Sequence, residues 1–207
     1  MLSHAPSIAC SQANITQPSC TFSTTQLEEA GISTAFAKNV EGVCSYEHST
    51  WANGSVTFDD FYRVPSHASN APAGTLLKVQ LDANTSAYNL PPNTAVSRII
   101  FLSRNFNGSI LPASALVLWP FALRVQPDGY PIVGWAHGTS GLFGECAPSH
   151  YQTLTYEFAA PYELALQGDV VVAPDYAGLG VYEDTSAKPV VHQYGTSRAQ
   201  ANESFVQ

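Results

Sequence analysis

The sequence predicts an α/β fold in which antiparallel strands lead into a parallel sheet. Five short runs are rich in β-branched and aromatic residues and are bounded by Pro, Gly or Asn, as strands are. The first three, at 75–81, 95–105 and 114–123, alternate imperfectly between apolar and polar residues, which is typical of half-buried antiparallel strands. The last two, at 131–138 and 169–176, are nearly continuous apolar runs, which is typical of strands covered on both faces.

A helical segment separates the last two strands. Residues 154–168, "LTYEFAAPYELALQG", have a helical period and end at a glycine. The order strand, helix, strand predicts a βαβ unit with parallel strands. We expect the run at 169–176 to leave an open parallel edge, and residues 196–207 to begin a further helix.

The N-terminal part of the chain predicts an irregular extension. Residues 1–58 form this extension and residues 59–207 the α/β domain. The one clear element of the extension is a helix at 24–39, for which Thr25 and Glu28 form a capping box. Its expected apolar face consists of Leu27, Ala30, Ile32 and Phe36.

Composition limits the function classes. The chain has 207 residues, of which 45% are hydrophobic, so it can bury one sizeable core. The net charge is −8 and only eight residues are Lys or Arg, so no basic patch is available for nucleic acid. No apolar run approaches the roughly 20 residues that span a bilayer, so we expect no transmembrane segment. Nothing in the sequence indicates an oligomeric state.

Glycosylation sequons and cysteines together predict a secreted protein. Five N-x-Ser/Thr sequons are present, at Asn14, Asn53, Asn84, Asn107 and Asn202. The first 20 residues lack the basic start and apolar centre of a signal peptide. We therefore expect the true N-terminus of the secreted protein to lie outside this sequence.

The four cysteines favour disulfides over a metal site. Cys10, Cys20, Cys44 and Cys146 lack the paired C-x-x-C spacing of zinc and redox motifs. In an oxidising compartment they are disulfide candidates. An alternative reading makes Cys146 a nucleophile beside His150, but it requires a lowered thiol pKa for which the sequence gives no cause. No metal or cofactor is predicted.

Two glycine-rich loops follow the parallel strands. Ligands of open α/β sheets bind at the carboxyl ends of such strands, and the loops at 137–141 and 175–180 begin there. The small residues of the first loop allow backbone donors to approach a ligand closely. The alternative is an ordinary glycine-rich turn in which His137 bonds neighbouring backbone.

The motifs resemble those of a known enzyme family. "DDFYRVP" and "APAGTLLKVQ", followed by "GWAHGTSGLFGECAPS" and "LALQGDVVVAPDYAGLG", are similar to the fungal secretory lipase family of α/β-hydrolases. The resemblance extends from about residue 59 to the end of the chain. It implies an incomplete α/β-hydrolase fold, no cofactor, and an ester or lipid substrate for the full-length form.

The resemblance also assigns the loop at 137–141. In α/β-hydrolases one N–H of the oxyanion hole comes from the loop after this strand. Thr139 is thus the first candidate donor and Ser140 the second, since its hydroxyl could add a bond. His137, Gly138 and Gly141 would support this oxyanion loop.

Asp175 is a turn residue in this interpretation rather than a catalytic acid. The acid of an α/β-hydrolase follows its nucleophile in the chain. We expect Asp175 to order the turn by bonding its backbone, with unusual dihedral angles at Gly178 and Gly180.

The nucleophile is not evident in these residues. The motif G-x-S-x-G is matched in spacing at 134–138, but alanine replaces the serine. Ser197 in "GTSRA" is the nearest other match, yet "SRAQ" is better explained as a capping box, and no histidine follows it. The serine, acid and histidine of a triad are therefore expected beyond residue 207.

These observations predict a fragment of a secreted serine carboxylic-ester hydrolase, a lipase or esterase. The alternative is a catalytically inactive truncated or pseudo-hydrolase chain that only binds, or has no function. A surface adhesion glycoprotein would explain the sequons but not the two strand-end loops. The sequence does not establish that the chain as it stands is an enzyme.

Overall fold

Five strands form one mixed sheet. A computed structural model describes residues 19–66, 68, 71–81, 83, 85–155 and 160–204. The strands occur in the spatial order β1-β2-β3-β5-β4. Their bounds are Leu76–Gln80 for β1, Thr94–Arg104 for β2, Ile110–Pro120 for β3, Ile132–Gly134 for β4 and Val170–Pro174 for β5.

The pairing confirms the predicted α/β class. β1 with β2, β2 with β3 and β3 with β5 are antiparallel, whereas β4 and β5 are parallel. The parallel pair brackets helix α3, Pro161–Leu166, as the βαβ prediction requires. This arrangement of antiparallel strands leading into a parallel pair fits the incomplete α/β-hydrolase fold that the resemblance implies.

The position of the sheet edge differs from the prediction. β5 lies between β3 and β4 and is buried, so the run at 169–176 is not the open edge. β4 has a strand partner on one side only among the described residues, and Ile132 is 70% exposed. The expectation that the run at 131–138 is covered on both faces is therefore wrong, since Ile132 and Gly134 are both exposed.

Two helices replace the single helix predicted near the N-terminus. Helix α1 spans Thr24–Ala30 and α2 spans Thr34–Thr50. The capping box consists of Ser23 and Gln26 rather than Thr25 and Glu28. Gly31 ends α1 in the left-handed region, at a φ of 64°, which breaks the helix that the periodicity suggested.

The apolar face predicted for this segment is not buried within the described residues. Ile32 is 37% exposed and Phe36 is 57% exposed. The extension joins the rest of the protein just after α2, where Trp51 forms a β-bridge with Tyr151. Ala52 N–H also donates to His150 O over 2.8 Å. The boundary between residues 58 and 59 stays a prediction.

One face of the sheet forms the main core. Leu116, Leu118 and Val171 are fully buried on it and pack with Tyr162 and Ala165 of α3. Burial of such side chains contributes about 1.5–3 kcal/mol each to folding.

The opposite face is covered in part by helix α4, Ser197–Ser204. A groove of about 630 Å³ lies there, and its lining includes Leu76, Phe101, Val172 and Glu203.

A buried ion pair joins Asp59 to β2. Arg98 Nη1 lies 2.7 Å from Asp59 Oδ2, and the Arg98 side chain is 2% exposed. Its guanidinium also lies 4.1 Å from the ring centroid of Phe61. The charge of Arg98 is therefore balanced by a carboxylate and by an aromatic face inside the protein.

No helix in the described part of the chain is both long enough and apolar enough to cross a membrane.

Candidate functional site

Two loops leave the same edge of the sheet. β4 and β5 are parallel, so the segments that follow them, 135–141 and 175–180, both start at the carboxyl ends of strands. Trp135 N–H donates to Val172 O over 2.9 Å, which extends the pairing one residue beyond β4. The two loops are thus held side by side as the prediction from the strand order requires.

His137 connects the two loops. Its side chain is buried, with Nδ1 2.6 Å from Gly138 O and Nε2 3.2 Å from Asp175 O. A neutral imidazole donates to one of these carbonyls, whereas an imidazolium donates to both. The ring also lies 4.4 Å from that of Tyr176, whose hydroxyl is 3.4 Å from His137 O. Since both ring nitrogens face backbone carbonyls, His137 fixes loop geometry.

Thr139 and Ser140 follow His137 in the first loop and differ in environment. Thr139 is exposed, and its Oγ1 is 3.0 Å from the hydroxyl of Tyr194. Ser140 is half-buried, and its Oγ is a buried atom without a hydrogen-bond partner among the described residues. A buried hydroxyl without a partner is costly, so Ser140 offers an unsatisfied polar group inside the loop.

Gly141 is required where it is. Its φ is 149°, and a Cβ there would collide with Sγ and Cβ of Cys146. By contrast, a Cβ added to Gly138 would meet open space. The loop therefore rests closely on Cys146 at one end and is open at the other.

The cysteines differ in state. Cys20 and Cys44 form a disulfide, as predicted for a pair of these residues. Cys146 has no disulfide partner among the described residues, so the disulfide expected for it stays a prediction. Cys10 lies outside the described residues.

No pair of thiol and imidazole forms at Cys146. Both ring nitrogens of His150 lack a hydrogen-bond partner in the described part of the protein. The His150 ring instead packs 4.8 Å from Trp51, centroid to centroid. Burial lowers the pKa of His150 to about 3, so this imidazole is neutral at ordinary pH. This geometry gives no support to the reactive reading of Cys146.

Asp175 forms a buried network rather than bonding its own turn. Its Oδ2 accepts from Ser114 Oγ and Ser149 Oγ, each over 2.6 Å, and its Oδ1 accepts from Ser149 N–H over 2.8 Å. Ser149 Oγ is also 2.8 Å from the hydroxyl of Tyr62. Burial raises the pKa of Asp175, and these hydrogen bonds oppose that rise. The Asp175 carboxylate therefore connects Ser114 of β3 and Ser149 with the start of the second loop.

The turn after Asp175 has the unusual dihedral angles expected at its glycines. Gly178 has a φ of 85° and Gly180 a φ of 70°. A Cβ at Gly178 would collide with the backbone at His192, and one at Gly180 with Ser114 Oγ. Tyr176 also has a positive φ, 70°, which its residue type did not indicate.

Glu203 is a site residue that the sequence did not reveal. It lies on α4, is buried, and its Oε2 accepts from Ala177 N–H over 2.8 Å. Burial raises its pKa to about 7. No local pattern marks this residue, because its partner belongs to a loop 26 residues earlier in the chain.

Ser197 does not occupy a nucleophile elbow. It is the first residue of α4, and a turn rather than a strand precedes it. Its capping role also differs from the prediction, since the N–H groups of Ala199 and Gln200 donate to Thr196 O.

Three of the predicted glycosylation residues fall among the described residues. Asn107 is exposed in the turn between β2 and β3, and Asn53 is half-buried. Asn202 lies on α4, where its Nδ2 donates to Arg104 O over 3.1 Å. Asn14 and Asn84 lie outside the described residues.

The chemistry available at the loops is that of hydrogen-bond donors on small residues. Such donors can stabilise a developing negative charge when they are fixed in advance. Within the described ranges, the only trio of His, Cys, Asp or Glu close enough to hold a metal is Cys20, Cys44 and His48, which lies in the N-terminal extension.

Comparison with known proteins gives distant similarities. No protein-family model matches the chain, and no curated protein matches it. A rice cell wall degrading esterase, LipA from Xanthomonas oryzae, is 26% identical over 65% of this chain and 36% of that one, with a TM-score of 0.42. Lipase A of Candida antarctica in its closed state is 18% identical over 61% of this chain and 31% of that one, with a TM-score of 0.47. The chain thus spans about a third of these two proteins.

Proposed function

We propose that this chain contributes the oxyanion loop of a secreted serine carboxylic-ester hydrolase that acts on lipid or other acyl esters. In this proposal the chain is the N-terminal part of an α/β-hydrolase domain, preceded by the extension at 1–58. The serine, the acid and the histidine of the triad come from residues beyond 207.

One observation carries the proposal. The loop at 137–141 leaves the carboxyl end of a parallel strand, carries small residues, and is held from below by His137, which faces carbonyl oxygens of both loops. An oxyanion hole requires donors that are fixed before the reaction, because donors that must reorganise lose their catalytic advantage. The hydroxyl of Ser140, which has no hydrogen-bond partner among the described residues, supports this role, since it could donate a hydrogen bond to a substrate oxygen.

The chemistry follows from that placement. The serine oxygen attacks the ester carbonyl while its proton passes to the histidine, and the carbonyl oxygen becomes negative. The N–H of Thr139, a second donor after the serine and the Ser140 hydroxyl hold this charge. The alcohol leaves with the proton from the histidine, and water then hydrolyses the acyl-enzyme.

A second candidate function, for the 207 residues by themselves, is binding without catalysis. The placement of Ser197 at the start of a helix, after a turn, favours it, because no elbow serine is then present in the described residues. The two candidates differ in whether the reading frame continues past the codon for Gln207.

The deciding experiment reads the transcript beyond that codon and expresses the complete product. We expect a frame that continues into a strand, G-x-S-x-G and a later acid and histidine, and a product that hydrolyses p-nitrophenyl esters. A fluorophosphonate probe should label the new serine and leave the 207-residue chain unlabelled. A stop at that codon, or labelling of Ser197, would contradict the proposal.

The loop itself is tested in the complete product. Thr139→Pro removes one N–H and should lower kcat by about 100-fold or more with a smaller effect on KM. Ser186→Ala, in an exposed turn, is the matched control and should leave both constants unchanged. Equal kcat for the Thr139 variant and wild type would show that this residue is not a donor.

A further inference from the structure

Residues 190–195, which we call the strap, contact both strand-end loops. The strap lies directly on the second loop, because a Cβ added to Gly178 would collide with the backbone of Val191 and His192. His192 Nδ1 lies 3.1 Å from Ala177 O, and this nitrogen is the donor because a carbonyl oxygen only accepts. The middle of the strap is therefore attached to the backbone of the second loop.

The end of the strap reaches the first loop. The hydroxyl of Tyr194 lies 3.0 Å from Thr139 Oγ1, although the two residues are 55 positions apart in the chain. The Tyr194 ring lies 6.2 Å from the His192 ring, which lies 6.3 Å from the ring of Tyr176 in the second loop. Aromatic rings attract one another at such centroid distances. The second loop therefore helps to fix Tyr194 next to Thr139.

The first loop is least supported at the point that Tyr194 contacts. Thr139 is exposed, and a Cβ added to the preceding Gly138 would meet open space. Glycine also allows more backbone conformations than any other residue. His137 anchors the loop on one side of this peptide, and Gly141 rests on Cys146 on the other. A hydrogen bond to the Thr139 side chain restrains the peptide between these two supports.

We infer that Tyr194 is a positioning residue of the oxyanion loop, whose hydroxyl keeps the Thr139 N–H in the place where the substrate oxygen becomes negative. The inference rests on the proposed function. Tyr194 acts through Thr139 in this role and does not bond the oxyanion. Its hydroxyl therefore contributes to stabilisation of the transition state and not to binding of the ester in its ground state.

NMR relaxation of the 207-residue chain tests the contact without catalysis. The backbone order parameter of Thr139 should be about 0.85 in wild type, as in rigid backbone, and below about 0.6 in Tyr194→Phe, which removes only the hydroxyl. Tyr130→Phe is the matched control, because Tyr130 is 56% exposed, against 58% for Tyr194, and precedes β4 at the end opposite to the loops. This control should keep the wild-type value at Thr139. A flexible Thr139 in wild type, or an equal order parameter in Tyr194→Phe, would overturn the inference.

Kinetics of the complete product test the consequence for catalysis. Tyr194→Phe should lower kcat for p-nitrophenyl esters by about threefold to tenfold with an unchanged KM, as expected for one lost hydrogen bond. Thr139→Val removes Oγ1 but keeps the N–H, and it should lower kcat by a similar factor. The double variant should be no slower than either single variant, because both changes remove the same contact. Tyr130→Phe should leave both constants unchanged.

The outcomes distinguish this inference from the proposed function. An active wild type whose kcat is unchanged by Tyr194→Phe would refute the role of Tyr194, as would additive losses in the double variant. An inactive wild type would contradict the proposed function instead. In that case the order parameters of Thr139 decide whether Tyr194 restrains the loop.

Discussion

His150 should make the protein lose stability in mild acid. Its side chain is 1% exposed and neither ring nitrogen has a hydrogen-bond partner among the described residues. Its neighbours are the rings of Trp51, Tyr62 and Tyr151. Burial is the main cause that lowers its pKa from 6.5 to about 3, because these surroundings cannot solvate an imidazolium.

The size of the effect follows from proton linkage. Between about pH 6.5 and pH 3 the unfolded chain holds a proton on His150 that the folded protein does not. The free energy of unfolding is therefore fully retained above pH 6.5 and decreases as the pH falls below it. At pH 5 the difference is 1.5 pH units, and at 1.36 kcal/mol per unit the loss is about 2 kcal/mol.

Urea unfolding of wild type and His150→Phe at pH 8 and pH 5, followed by tryptophan fluorescence, measures this loss. The larger ring adds a packing cost of about 1–3 kcal/mol, but this cost does not depend on pH. We expect wild type to lose about 2 kcal/mol more than the variant between the two pH values. Other titrating groups occur in both proteins and cancel in the comparison. The same pH dependence in both proteins would refute the assignment.

Three further predictions concern the packing of the site and the ion pair between Arg98 and Asp59. Gly141→Ala should lower the free energy of unfolding by about 3 kcal/mol, because its Cβ collides with Sγ of Cys146. Gly138→Ala, whose Cβ meets open space, is the control and should cost less than about 0.5 kcal/mol in the same urea titration. Burial raises the pKa of Glu203 from 4.5 to about 7, so the folded protein holds this proton more tightly than the unfolded chain. The free energy of unfolding of wild type should therefore fall by about 1.3 kcal/mol between pH 6 and pH 8 through this group. Glu203→Gln should abolish this fall in urea titrations, and the same pH dependence in variant and wild type would contradict the prediction. Arg98→Met leaves the carboxylate of Asp59 buried without its partner and should cost about 3–5 kcal/mol in thermal or urea unfolding; a loss under about 1 kcal/mol would show that the pair is solvated.

The strands were predictable because their signals are local. The run at 95–105 corresponds to β2, Thr94–Arg104, and the run at 169–176 contains β5, Val170–Pro174. Alternation and apolar content record how much of a strand is buried, and they need no knowledge of its partners. The strand order was not predictable in this way, because the contact of Val117 with Val172 joins residues far apart in the chain.

The N-terminal helices show a different limit. The periodicity over 24–39 continued through Gly31, so one helix was predicted where two occur. A glycine inside a helix costs only about 1 kcal/mol relative to alanine, so Gly31 in the sequence did not by itself predict a break between two helices. Here Gly31 adopts the left-handed conformation and Ser33 caps a second helix, which only the backbone geometry reveals.

The positions of the two loops of the candidate site were predicted from the strand ends. The contacts that hold these loops in place were not predicted. Asp175 was expected to bond its own turn, yet its carboxylate accepts from Ser114 and Ser149, which are 61 and 26 residues away. Glu203 is likewise 26 residues from its partner Ala177. Turn propensities describe bonds within a few residues, and they carry no information about these distant donors.

This distribution of contacts determines what kind of site the loops can form. The loop at 137–141 depends on His137, which faces the carbonyl of Asp175, and the carboxyl group of Asp175 is fixed by serines of two other segments. These buried bonds form when the protein folds, so a bound ligand need not provide the free energy that positions the loop. A substrate oxygen would then meet donors that are already in place, which is the condition under which hydrogen bonds accelerate acyl transfer most. Under the proposed function, Ser114→Ala or Ser149→Ala should therefore reduce kcat of the complete product, although neither serine belongs to the oxyanion loop.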